Sequence, residues 1–209
     1  MSKTRQNIIQ KAIVLFNERG VVNVSIRDIA DKLGISAGNV TYYYKTKEQL
    51  MDSVYRFMIK TLEEMSVGNQ LMNPEKEQLQ VAKGYLEHIA YFRFFYQDTL
   101  EIVRSYPKLA KLHQQQVEQE KAIIRNLMFM SIGKGDLIPE PFEGLYQSLA
   151  HSIWMTLHFW LTQQIIIGEQ NINLEKGLIT IANLLYPFAT KKGQKIFTRM
   201  RGELLAMAS

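Results

Sequence analysis

Residues 26–45 read Ile-Arg-Asp-Ile-Ala-Asp-Lys-Leu-Gly-Ile-Ser-Ala-Gly-Asn-Val-Thr-Tyr-Tyr-Tyr-Lys. Ile29 and Leu33 lie one helical turn apart, and Ser25 stands where an N-cap accepts from a free backbone N–H. Asp28, three residues on, is the reciprocal partner of a capping box. Gly34 interrupts the pattern at a point where the backbone must turn sharply. Ser36 then caps a second, very short helix over about 37–43, and Ala30 is small where two helices meet closely. Ile29, Leu33, Ile35 and Val40 supply the apolar contact between them. Helix, tight turn and helix in this order is the helix-turn-helix plan, whose second helix enters the major groove of DNA.

Outward from this stretch the chain continues in helical period. Ile8, Ile9, Ala12, Ile13, Leu15 and Phe16 recur three and four apart, predicting a helix over about 4–19 that ends at Gly20. Thr46 and Gln49 form a second box and start a helix running to about Met65. Residues 67–74 read as a linker. Long helices are expected over about 75–96, 108–132 and 142–168, with a break at 133–141. A further helix is expected over about 174–187, then a basic, helical C-terminal segment to about 207. Strand signals are nearly absent. The fold class is all-α, with a three-helix DNA-binding unit at 1–48 and a larger helical domain at 49–209.

The 209 residues are 46% hydrophobic and 22% charged, the composition of a folded domain. There is no cysteine, which excludes disulfide scaffolds, thiol catalysis and thiolate metal sites. Residues 1–50 hold eight Lys/Arg against four Asp/Glu, and residues 190–209 five against one. Residues 51–189 hold twelve against fifteen. A basic first quarter suits a polyanion. No leader pattern opens the chain, so a cytoplasmic location is expected. No nucleophile elbow, phosphate-cradling glycine loop or HExxH motif occurs, so neither an enzyme nor a cofactor or metal site is expected.

Residues 8–50 resemble the TetR/AcrR family of bacterial transcriptional repressors. Ile13–Gly20, Ser25–Leu33, Gly34–Asn39 and Tyr43–Leu50 follow that family's N-terminal signature in order and spacing. Two positions depart from it: Thr41 stands where the family usually has tyrosine, and Tyr44 where it usually has phenylalanine. Thr41, Tyr42, Tyr43, Lys45 and Lys47 are candidates for phosphate contact, and Lys47 matches the family's phosphate-binding lysine. Ser25, Arg27 and Ser36 join them near helix starts. Ala37, Gly38, Asn39 and Tyr42 are candidates for reading bases, Asn39 through a bidentate bond to adenine. Tyr43 and Tyr44 are equally readable as core, and the three hydroxyl caps as caps alone.

The resemblance implies a homodimer on a palindromic operator in double-stranded DNA, released by a small-molecule effector. The residues of 49–209 bear on both roles. Gly144–Gly168 contains no charged residue, yet nine polar side chains argue against a membrane span. A helix without charge is buried on more than one side. Residues 142–168 and about 174–190 are therefore the expected dimer interface, with Ile179, Ala182, Asn183, Tyr186 and Pro187 in its second helix. Tyr91, Phe92, Phe95, Met128, His151, Trp154, Met155 and His158 are candidates to line an apolar effector pocket, against a plain-core reading. His151 and His158 lie two helical turns apart, too far to share a metal. The competing function is a DNA-bound organising protein of the same fold with no effector.

Overall fold

The computed structural model describes residues 2–68 and 74–207, with side chains at 2–64 and 83–207. Among the described residues there are ten α-helices: α1 (Lys3–Arg19), α2 (Ile26–Leu33), α3 (Ala37–Tyr43), α4 (Lys47–Gly68), α5 (Pro74–Tyr91), α6 (Arg93–Ser105), α7 (Pro107–Gly133), α8 (Leu145–Ile166), α9 (Leu174–Leu185) and α10 (Lys191–Met207). A 3₁₀ turn at Tyr186–Phe188 precedes α10. The all-α expectation holds, and the only β feature among the described residues is an isolated bridge between Leu137 and Ala189. Residues 69–73 of the expected linker lie outside the described residues.

By packing, the chain divides into two compact units, Met1–His113 and Gln114–Ser209, with the boundary along the chain falling within α7. In the first, Ile8, Ile9, Ala12, Ile13 and Phe16 of α1 bury the period read from the sequence. Ile29 and Ala30 of α2 and Val40 of α3 close the three-helix core. Beside them, Tyr55, Phe92 and Phe95 are buried, and Tyr55 Oη bonds His113 Nδ1 at 3.0 Å. In the second unit, Met128, Leu137, Tyr146, Ala150, Ile153 and Ala189 form the core.

One expected helix is two. The apolar period of 75–96 continues, but the backbone breaks at Phe92, which has φ −107° and ψ 28°. The cause lies in α1. Asn17 Nδ2 donates to the Tyr91 carbonyl at 2.8 Å, and the Phe94 N–H donates to Asn17 Oδ1 at 3.0 Å. One carboxamide thus satisfies the end of α5 and the start of α6. The helix α6 went unread because its stabilising partner lies more than seventy positions away.

A second join fixes α10. At Gly193 an added Cβ would lie 1.9 Å from the Asp136 carbonyl oxygen, so only glycine lets the helix cross that loop. Thr190 caps the Gly193 N–H at 3.1 Å, and Lys192 pairs with Asp136 at 2.8 Å. No helix among the described residues is long and apolar enough to cross a membrane.

Candidate nucleic-acid interface

The turn between α2 and α3 is built by local side chains. Ser25 accepts from the Asp28 N–H at 3.2 Å while Asp28 Oδ2 accepts from the Ser25 N–H at 2.7 Å. The Ser25 hydroxyl also donates to Asp28. These bonds hold the Asp28 carboxyl below its ordinary range, with burial opposing and Arg19 adding to the effect. Gly34 adopts φ +67°, the left-handed cap that ends α2. Ser36 then accepts from the Asn39 N–H at 3.2 Å and starts α3.

The seven residues of α3 divide cleanly. Val40 is buried, while Ala37, Gly38, Asn39, Thr41 and Tyr42 are exposed. Tyr42 is 79% exposed, against 4% for Tyr44. A tyrosine that open to water contributes nothing to the core. Tyr44 is the core residue of the pair, and its burial pushes the phenol up. Tyr43 lies between them and meets Tyr42 edge to face at 5.1 Å. The Asn39 carboxamide has no hydrogen-bond partner among the described residues, leaving its oxygen and nitrogen for a base edge.

The cations split by environment. Arg27 and Lys45 are exposed and unpaired by any carboxylate among the described residues. Lys47 is different. Its ammonium donates to the Val21 and Val22 carbonyls, and burial lowers its pKa. It therefore ties the start of α4 to the loop before α2 and leaves only part of its donor capacity for phosphate. The Thr41 hydroxyl donates back to Gly38 at 3.0 Å and Ala37 at 3.2 Å, so it must rotate to serve a phosphate. At α4, Gln49 N–H donates to Thr46 Oγ1 at 3.2 Å as expected, but the reciprocal bond comes from the Lys45 N–H, at 2.9 Å.

Arg5 escaped the sequence reading. Its guanidinium lies 5.9 Å from the centre of the Tyr43 ring. It adds a cation beside α3 from a helix 38 positions away in sequence, which no local spacing reveals.

Of the expected effector residues, three belong to residues 1–113 and five to residues 114–209. Phe92 and Phe95 are core side chains of residues 1–113, and Tyr91 is partly exposed there. In residues 114–209, Met128 belongs to the core, Met155 is 43% exposed and His151 is exposed. Trp154 and His158 come together, rings stacked 4.4 Å apart. Both bond Glu120 Oε2: the indole N–H at 2.9 Å and His158 Nε2 at 3.1 Å. His158 Nδ1 lies 3.1 Å from the Trp154 carbonyl. Burial pushes the Glu120 carboxyl up, but the hydrogen bond and charge of His158, with Trp154 and Gln116, outweigh it and hold it low. No group of three or more residues able to hold a metal ion occurs among the described residues.

Two family models match this arrangement. Residues 8–54 match the model of bacterial regulatory proteins of the TetR family, and residues 63–197 that of a bacterial transcriptional repressor of the same name. The chain belongs to the TetR family. It is a DNA-binding transcriptional repressor of that family. This TetR-family chain is similar to the transcriptional repressor KstR2 of Mycobacterium tuberculosis, 24% identical over 192 residues, covering 86% of this chain and 94% of KstR2. Its fold matches a TetR-family regulator from Marinobacter aquaeolei with a TM-score of 0.85 at 19% identity, covering 97% and 99% of the two chains. A chain from Saccharomonospora viridis, solved in complex with choline, matches with a TM-score of 0.72 at 18% identity over 90% and 98%.

Proposed function

We propose that this TetR-family repressor binds a palindromic operator as a homodimer in the cytoplasm and is released by a small molecule. In this reading residues 1–48 contact DNA, and residues 49–209 dimerise and receive the effector. The observation that carries it is α3: a short helix fixed by Val40, with Asn39 and Tyr42 open to a groove and Arg27 and Lys45 unpaired nearby. One such helix reads only a few base pairs. Two copies about 34 Å apart match successive major grooves on one face of the duplex.

Dimerisation through 142–168 and 174–190 has support in what α8 leaves uncovered. Met155 is 43%, Phe159 42% and Ile166 77% exposed, and Tyr186 beyond α9 is 42% exposed. These are large apolar groups, the first three of them in a segment without charge, the pattern of a surface that a second subunit covers. The effector step runs through α4, which begins at the DNA-binding unit with Lys47 bound to the Val21 carbonyl. Tilting α4 changes the spacing of the two recognition helices. A coupling of about 1–3 kcal/mol corresponds to a roughly 5- to 150-fold loss of operator affinity.

Fluorescence anisotropy with operator DNA and candidate effectors tests the switch. The expected result is tight binding that an effector weakens. An effector that occupies the protein yet leaves operator affinity unchanged contradicts it.

A further inference from the structure

Thr41 lies on the open side of α3, one turn beyond Gly38. Its hydroxyl carries a single proton, and two backbone carbonyls share it: Gly38 at 3.0 Å and Ala37 at 3.2 Å. A phosphate oxygen only accepts hydrogen bonds, so it needs that same proton. Serving a phosphate therefore breaks both contacts. A threonine bonded in this way turns its oxygen back along its own helix. The other branch of the side chain is the methyl, Cγ2. Because the residue is exposed while its oxygen is held to the backbone, the group it offers outward is apolar.

An apolar group on a reading face has one partner in the major groove. Guanine, adenine and cytosine present only hydrogen-bonding groups there, and thymine alone adds a C5-methyl. A threonine side chain is short, so its methyl meets a base only where the helix backbone lies close to the base edges. Gly38 allows that approach. An added Cβ at Gly38 would meet only Ser36 Oγ at 3.8 Å, an ordinary contact, and its backbone is not left-handed. The fold thus accepts a side chain at this position, and glycine weakens a helix relative to alanine. A bare backbone on the outward side suits close approach to a ligand instead. Val40 is buried and anchors the opposite side of the helix, which turns residues 38 and 41 to the open.

We propose that Thr41 reads a thymine through its methyl group, so that each half-site carries an A·T pair whose C5-methyl meets Cγ2. The proposal rests on α3 facing duplex DNA, as the operator reading has it. It adds which base the threonine selects, at a position where the family usually has tyrosine.

Deoxyuridine keeps every hydrogen-bonding group of thymidine and lacks only the 5-methyl, so the test alters the DNA and leaves the protein intact. A duplex recovered by the full chain from a random pool is remade with each thymidine of the half-sites replaced in turn by deoxyuridine, symmetric positions together. Affinities are read by fluorescence anisotropy. At one position the parent should lose about fourfold per half-site, the contribution of one buried methyl, and roughly fifteenfold over the two. Thr41→Val keeps an outward methyl and removes the hydroxyl, and should show the same loss at the same position. Thr41→Ser keeps the hydroxyl and removes the methyl, and should bind the thymidine and deoxyuridine duplexes alike. The position is exposed, and circular dichroism checks that both variants fold. A selected half-site that holds no thymine, or one in which uracil costs nothing anywhere, overturns the proposal. So does a Thr41→Ser variant with the parent's full loss, because another side chain then touches the methyl. A Thr41→Val variant that binds every duplex more weakly, with uracil silent, assigns the hydroxyl to phosphate and also overturns it. Failure to bind any duplex at low salt overturns the operator reading as well, whereas sequence-specific binding without a uracil effect overturns this proposal alone.

Discussion

At position 39 of α3 a carboxamide stands in water, near Tyr42, which is 79% exposed. Asn39→Ala should cost about 1–3 kcal/mol of discrimination at one base pair and leave the salt dependence of binding unchanged. Lys45→Ala should do the reverse: weaker binding to every sequence, with the slope against log salt reduced by about one. Anisotropy titrations on matched and single-mismatch duplexes at several salt concentrations distinguish the two patterns. The roles of Ser25, Ser36 and Thr46 as caps were legible in the sequence because a cap bonds a backbone N–H only three residues away. The tie from Lys47 to Val21 and the placement of Arg5 over Tyr43 were not, since each spans a loop whose path local spacing does not encode.

Between helices, single side chains decide where one element ends and another crosses. Asn17→Ala leaves the Tyr91 carbonyl and the Phe94 N–H without their partner, and should destabilise the fold by about 1–3 kcal/mol in denaturant unfolding. Gly193→Ala forces α10 away from the Asp136 carbonyl and should cost about 1–3 kcal/mol or more by the same measurement. The Glu120–His158–Trp154 cluster gives a pH dependence. The folded chain holds the Glu120 carboxyl below its usual value, so the unfolded chain binds that proton more readily. The stability it contributes is present above the unfolded carboxyl pKa and is lost as pH falls through the folded one. Glu120→Gln should therefore be less stable at neutral pH and flatter than the parent between neutral and strongly acidic pH, as read by thermal unfolding across that range. Helix positions were legible from apolar period almost everywhere. The break at Phe92 was not, because the period runs through it and a distant carboxamide overrides it.

For the whole molecule, the all-helical fold and the basic start followed from period and charge alone, and residues 8–50 carried the family resemblance. The effector residues were less legible. Aromatic and methionine side chains recur in α5 through α8, and period cannot tell a core position from a pocket wall; Phe92, Phe95 and Met128 are buried. Assembly is testable at this scale. Phe159→Glu places a charge on the apolar face of α8 and should yield a lone subunit in sedimentation, with operator affinity reduced as the second half-site is lost. The central claim is that α3 of paired subunits reads duplex DNA. Selection of bound sequences from a random double-stranded pool tests it most directly. The expected outcome is a palindrome with half-sites about one helical turn apart, lost on Asn39→Ala at the matching base pair. Recovery of no enriched sequence, or of a single unpaired half-site, contradicts it.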